Sequence, residues 1–336
     1  MADFSIGVDL GGTNLRIAAV DEHGNILERV SLSTRVSRGR DYVIKAMCDS
    51  IRQLTEQHGA AGELVGIGVG IPGIIDPQTG LLREAPNLPG WVGIPVQAEI
   101  EHQLGTKVVL ENDANAAVLG EKWLGAARDF DDIAMFTLGT GVGGGLILGG
   151  KIWRGMSGMA GEFGHMTIDW EGIPCSCGSR GCLEQYGSAT AIIQMAREMA
   201  RKDGASELFK NACLAPDFNA KSVYDLTVRG DEQAKAIFHS VGRSLGIAIA
   251  DLVNAMNLPI YVIGGGVSAA WDAFSPSLFE ELRQRSAVYA ATELSPDVEL
   301  GSSRTATPGK TIVTRALLGG EAGLFGAARL PVISGS

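Results

Sequence analysis

The sequence has no run of Lys and Arg, and its net charge is -10. Extended nucleic acid and anionic membrane surfaces are therefore not expected partners, and the acidic surplus serves solubility. No apolar run approaches the roughly 20 residues that span a bilayer. The first strand is expected from about Phe4, which leaves no room for a signal or transit segment. Together these absences predict a cytoplasmic chain. Neither the dinucleotide fingerprint nor the phosphate loop ending in Gly-Lys-Ser/Thr occurs in its required setting. Cysteine is sparse, with five in 336 residues. Cys175, Cys177 and Cys182 nevertheless lie close together, and in a reducing compartment such a cluster indicates metal before disulfide.

Glycine is abundant, with 46 residues, and much of it clusters at expected turns. Phe4 to Asp9 and Leu15 to Val20 read as strands joined by a glycine turn, with Asn25 to Leu32 returning after a hairpin. Asp41 to His58 reads as a helix with Val43, Ile44, Met47, Ile51 and Leu54 on one face. Strands are expected at Leu64 to Ile71 and Val108 to Glu111, and a helix at Ala114 to Leu124. The opening pattern then returns. Ile133 to Leu138, a turn at Gly139-Thr140-Gly141, and Gly144 to Leu148 repeat the order of strand, glycine turn and strand. Such a repeat predicts two similar domains. Helices are expected at Ser188 to Lys202, Asp231 to Asn257, Ser275 to Arg285 and Gly320 to Arg329. A strand is expected at Ile260 to Ile263 and a mobile loop at Gly301 to Gly309. The interleaving defines an α/β protein.

Three glycine clusters follow three strands: Gly11-Gly12-Thr13, Gly139-Thr140-Gly141, and Gly264-Gly265-Gly266. Glycine lets backbone N–H groups approach a phosphate or base; equally, any one cluster can be a tight hairpin turn. Asp9 ends an apolar strand, where a carboxylate is costly without a partner. It is either a turn residue or a group facing Mg²⁺ among nucleotide phosphates. Asp113, at the start of an expected helix, is either its N-cap or a general base. His165, Cys175, Cys177 and Cys182 have the ligand types of a closed Cys₃His structural zinc site, with Gly178 and Gly181 permitting sharp turns; reduced, unliganded thiols are the alternative.

Asp9-Leu10-Gly11-Gly12-Thr13-Asn14-Leu15-Arg16 resembles the first phosphate motif of the ROK family of repressors and kinases. Leu138-Gly139-Thr140-Gly141-Val142-Gly143-Gly144-Gly145 resembles its second, and Ile263-Gly264-Gly265-Gly266-Val267 its adenosine motif. The resemblance extends to Gly323-Leu324-Phe325-Gly326-Ala327-Ala328. It implies a two-domain actin/hexokinase-like (ribonuclease H-like) ATPase fold with nucleotide and sugar in an interdomain cleft. The expected division is residues 1–113 plus 318–336 against 114–317, the latter carrying the zinc site. The resemblance implies Asp113 as base, and Gly73, Asn87, Asn112, Asp113, Glu162, His165 and Glu184 around the sugar. It assigns Asp9, Gly11, Gly12, Thr13, Asn14, Gly139, Thr140, Gly141, Gly264, Gly265 and Gly266 to ATP and Mg²⁺. It further implies structural Zn²⁺ on His165 and the three cysteines, a homodimer, and phosphorylation of the 6-hydroxyl of glucose. N-acylhexosamines, fructose and mannose are rival substrates. A repressor is disfavoured, because Asp9 lies too near the start for a preceding DNA-binding domain; a non-catalytic sugar-binding switch is the other alternative.

Overall fold

The computed structural model describes residues 3–334 except 61, 77, 86, 202, 203, 205 and 295–307. Most of the loop expected at Gly301 to Gly309 lies outside the described residues. The chain begins with β1 (Phe4–Leu10), β2 (Asn14–Asp21) and β3 (Ile26–Ser33), then α1 (Arg40–His58), β4 (Leu64–Ile71), β5 (Ile74–Ile75), β6 (Leu82–Glu84) and α2 (Val96–Leu104). It continues with β7 (Val109–Asn112), α3 (Asp113–Leu124), β8 (Ile133–Leu138), β9 (Val142–Leu148) and β10 (Lys151–Ile152). After α4 (Glu184–Gly187) come α5 (Ala189–Ala200), α6 (Glu207–Cys213), α7 (Ala220–Val228) and α8 (Glu232–Met256). The last elements are β11 (Ile260–Gly264), α9 (Trp271–Arg285), α10 (Ala287–Thr292), β12 (Ile312–Arg315) and α11 (Ala322–Ser334).

The expected internal repeat appears in the sheets. One has the order β3-β2-β1-β4-β7 and the other β10-β9-β8-β11-β12. In each, an antiparallel pair of outer strands leads inward to strands that run parallel. The chain divides into two compact units, residues 1–132, 145–161 and 317–336 in the first, and 133–144 and 162–316 in the second. The sequence expectation places 114–132 and 145–161 with the second; here α3 packs along α11. Gly145 also lies against α3, where an added Cβ would sit 2.9 Å from the Ala114 carbonyl oxygen.

In the first unit, one face of the sheet buries Ile6, Val8, Ile67, Val69 and Ile71 with Val43, Met47 and Ile51 of α1. The opposite face is built differently. On β4, Gly66 and Gly68 alternate with those apolar residues, and Gly7 does the same on β1. A Cβ on Gly68 would fall inside the Ala327 carbonyl, and one on Gly66 would lie 2.5 Å from Pro331 Cβ. These glycines let α11 lie directly on the sheet, and Gly120 and Gly326 let α3 and α11 meet backbone to backbone. These five glycines therefore serve packing and not turns. Single exchanges here would force displacement of backbone, an overpacking penalty of about 1–3 kcal/mol or more.

The second unit buries α8 through Ile237, Val241, Leu245, Ile249 and Val253, with α9 packed along it. By length and composition alone α8 is apolar enough to cross a membrane, but Arg243 and Asp251 interrupt it and its most apolar stretch is mostly buried inside the fold.

Candidate active site

β1, β4 and β7 run parallel, with Asp9 in register with Gly70 and Ile71 with Asn112. Ligand sites in open α/β sheets form outside the carboxyl ends of such strands. Asp9 is 8% exposed. Burial raises its pKa above the usual carboxylate value, Arg16 opposes that shift, and Glu321 adds to it. Arg16 faces Asp9 across the β1–β2 pair, Nη2 to Oδ2 2.7 Å.

The first glycine turn closes through the Gly11 N–H, which donates to the Asn14 carbonyl at 2.8 Å. Buried Thr34 locks it from the side. Its N–H donates to Thr13 O at 2.9 Å and its hydroxyl to Gly11 O at 2.7 Å. Asn87 lies beside the same turn: a Cβ on Gly12 would sit 3.3 Å from the Asn87 carbonyl oxygen.

At the β7–α3 junction the N-cap is Asn112, whose Oδ1 accepts from the N–H groups of Ala114 (2.9 Å) and Asn115 (3.1 Å). Asp113 is the first helical residue. Asn112 Nδ2 donates to Gly73 O at 3.0 Å, so Gly73, Asn112 and Asp113 form one cluster. Directly before them, buried Glu111 receives a two-pronged contact from Arg154, Nε 2.7 Å and Nη2 2.6 Å. The first unit thus gathers Asp9, the first turn, Asn87, Gly73, Asn112 and Asp113 at the carboxyl ends of its parallel strands. Thr34, Glu111 and Arg154 were not singled out from sequence. Glu111 did carry the signal that marked Asp9, a carboxylate ending an apolar strand.

In the second unit β8 and β11 are parallel, with Gly264 opposite Thr137. Their two glycine turns are neighbours, since a Cβ on Gly265 would collide with Leu138. Gly139 and Gly266 have nothing within 4 Å of an added Cβ, leaving those backbone faces open to a ligand. The Thr190 hydroxyl, also missed from sequence, donates to Thr140 O at 2.7 Å. Glu184, expected at the sugar, accepts from the Val142 N–H at 2.9 Å and so sits against the second turn. Glu162 and His165 flank a short helical turn whose Phe163 packs on Phe136, ring centroids 4.8 Å apart.

His165 and the three cysteines form one cluster, all ligand atoms within 4.8 Å of one another. The Cys177 and Cys182 sulfurs are 3.7 Å apart, and His165 Nδ1 is 3.8 Å from Cys175 Sγ. Tetrahedral Zn–S bonds of about 2.3 Å require sulfurs about 3.8 Å apart, so the donor set fits zinc. No disulfide occurs among the described residues. Burial works against the Cys175 thiolate, but donors from Cys177, Cys182 and His165 outweigh it and bring its pKa down to about 7. Burial and the neighbouring thiols push Cys182 up to about 12. The supporting turn needs Gly181: its φ is +68° and a Cβ would collide with the Asp169 carbonyl.

The family described as "ROK family" matches residues 5–331. A glucokinase of Thermotoga maritima is 40% identical over 280 residues, covering 83% of this chain and 86% of the relative. A glucokinase of Halalkalibacterium halodurans is 36% identical, covering 96% and 92%. Among solved structures, a ROK family glucokinase from Streptomyces griseus, in complex with glucose and AMPPNP, is similar with a TM-score of 0.78 at 32% identity. That match covers 97% of this chain and 98% of the other. The fold is the actin/hexokinase-like α/β fold that the sequence implied. With a family match along nearly its whole length and relatives at this level of identity, the chain belongs to the ROK family.

Proposed function

We propose that this chain is a glucokinase that transfers the γ-phosphoryl group of ATP to the 6-hydroxyl of glucose. The observation that supports the reading is the β7–α3 junction, where Asn112 caps the helix that Asp113 begins and donates to Gly73 O, at the strand ends that also hold Asp9 and the first glycine turn. Glucose and the nucleotide are favoured because the related Streptomyces griseus enzyme was solved with glucose and AMPPNP and two relatives are glucokinases.

In phosphoryl transfer, catalysis is mainly positioning and charge stabilisation. Asp113 accepts the proton of the 6-hydroxyl as oxygen attacks phosphorus, and the leaving group is ADP. Gly73, Asn87, Asn112, Glu162, His165 and Glu184 hold the sugar hydroxyls, which both donate and accept. Gly11, Gly12, Thr13, Asn14, Gly139, Thr140 and Gly141 offer N–H and hydroxyl donors to phosphates, and Gly264, Gly265 and Gly266 lie along the adenosine. Mg²⁺ fits beside Asp9, a buried carboxylate whose charge Arg16 does not fully offset; bound there with ATP it would neutralise phosphate charge. Zn²⁺ on His165, Cys175, Cys177 and Cys182 is structural and orients the His165 ring. The reading includes a homodimer, checked by light scattering, and a cytoplasmic setting where thiols stay reduced.

The test is a hexose panel in a coupled ADP-release assay, with glucose expected first and fructose poor. A specificity-constant ratio of glucose to N-acetylglucosamine below one overturns the choice of glucose. Absence of sugar-stimulated ADP release overturns the kinase.

A further inference from the structure

Glu111 takes part in no step above, yet it is 4% exposed and its carboxylate holds four donors. Oε1 accepts from the Asn112 N–H and from Asn115 Nδ2, both at 3.0 Å. Oε2 accepts from Arg154 Nε at 2.7 Å and lies 2.6 Å from Arg154 Nη2. One oxygen therefore grips the β7–α3 junction and the other grips an arginine 43 residues away. Arg154 in turn opens the stretch that leads into Glu162 and His165, and its carbonyl accepts from the Ala160 N–H at 3.2 Å.

Stability alone is a poor reason for this arrangement. The Arg154 side chain is 39% exposed, an ion pair open to solvent on one side adds little stability, and Asn112 already caps α3. Asn115 donates to Glu111 while its own Oδ1 is buried without a partner among the described residues, a local penalty.

We propose that the Glu111–Arg154 pair is a positioning device for Asp113: it fixes the backbone that carries the base and keeps the charge two residues before it neutral. This rests on the reading of Asp113 as base. Several other charged groups on or beside the elements packed against α3 have partners of their own. On α3, Glu121 accepts from Leu317 and Leu318 and Lys122 pairs with Asp131. β4 carries no charged side chain, and on α11 Arg329 lies over Trp123. Asp9 pairs with Arg16, and Glu321 with Arg29.

The two halves of the pair must then act with opposite sign. In R154M, Glu111 keeps an uncompensated negative charge two residues from Asp113, which favours the protonated base. The acid limb of the kcat/KM profile moves to higher pH. In E111Q, Arg154 keeps an uncompensated positive charge and the limb moves to lower pH. Shifts of about half a pH unit are expected for an uncompensated unit charge two residues from the base. Turnover should fall roughly 10–100-fold in each through misplacement of the base, with glucose KM changing far less. R154K keeps the charge without the two-pronged fork; its limb stays at the parental pH and turnover recovers part of the loss.

A merely structural role lowers the unfolding midpoint and moves neither limb. Limbs that stay put, or move in the same direction, overturn the proposal. If E111Q folds poorly, R154M against R154K decides: equal limbs overturn it. Asp113→Asn is the control. Parental turnover in that variant overturns the base reading itself; an inactive Asp113→Asn with unmoved limbs removes only the role of the pair.

Discussion

Asp113→Asn separates the two roles that the sequence left open. The helix cap belongs to Asn112, whose Oδ1 takes the N–H groups of Ala114 and Asn115 at 2.9 and 3.1 Å. The Asp113 Oδ1 accepts from the Ala114 N–H at 2.9 Å, and an Asn side chain keeps an oxygen for it. The substitution removes a negative charge at a helix N-terminus, an effect of about 0.3–1 kcal/mol. In a chain of two such compact units that is a shift in the unfolding midpoint of no more than about 2–4 °C. Removing a general base costs roughly 10²–10⁴ in turnover, or about 2.7–5.5 kcal/mol of barrier. The barrier effect should therefore exceed the stability effect several-fold. Thermal unfolding with and without glucose gives the first quantity, steady-state ADP release at saturating substrates the second, and calorimetric titration shows whether glucose still binds. Turnover within a few-fold of the parent would refute the base assignment. So would a stability loss large enough to account for the missing activity.

Purified protein should carry about one zinc per chain, as one four-ligand site requires; Cys177→Ala should lose it, lower the unfolding midpoint and weaken glucose binding, and full activity in metal-free protein would contradict both roles. Glu121 is fully buried and accepts the N–H groups of Ala126, Leu317 and Leu318 at 2.7, 3.1 and 2.8 Å. Glu121→Gln turns an amide NH₂ toward at least one of these donors, so a loss of about 1–3 kcal/mol is expected in denaturant unfolding, and a change below the error of the fit refutes the count. Asp9 has a raised pKa in the folded state, so its charge costs stability as pH rises from the ordinary carboxylate value through the raised one. At neutral pH Asp9→Asn should therefore unfold no earlier than the parent while binding Mg²⁺-ATP more weakly. Lower stability with unchanged nucleotide affinity would make Asp9 a structural partner of Arg16.

What the sequence disclosed and what it withheld divide along a physical line. The face of α1 was legible because Val43, Met47, Ile51 and Leu54 recur at helical spacing, and all are buried. The cluster of His165, Cys175, Cys177 and Cys182 was legible because its residue types are rare and they sit close together in the chain. Other features depend on partners that no local period specifies. The alternation of Gly66 and Gly68 marked a strand, but its purpose lies in the backbone of α11 near the other end of the chain. Asn112 and Asp113 are both good N-cap residues, and spacing cannot choose between them; the choice is made where Asn112 Nδ2 meets Gly73 O.

Glu111 and Arg154 carry this furthest. Hydrophobic periodicity reports which face of an element is buried, and it placed Glu111 correctly at the end of an apolar strand. It cannot report which donor arrives at that buried oxygen, because the donor comes from a separate stretch after β10. A carboxylate ending an apolar strand is thus a sign that a distant partner exists, whether a cation, an N–H group or a ligand. Asp9 and Glu111 give the same sign and resolve it differently. Glu111 is met by two-pronged Arg154 and two further donors, so its oxygens are used up within the protein. Asp9, despite Arg16, is left with a pKa above its ordinary value, and a buried carboxylate in that condition still gains from another cation. The difference in satisfaction, more than the shared position at a strand end, supports the proposal that one carboxylate holds the site and the other meets the nucleotide.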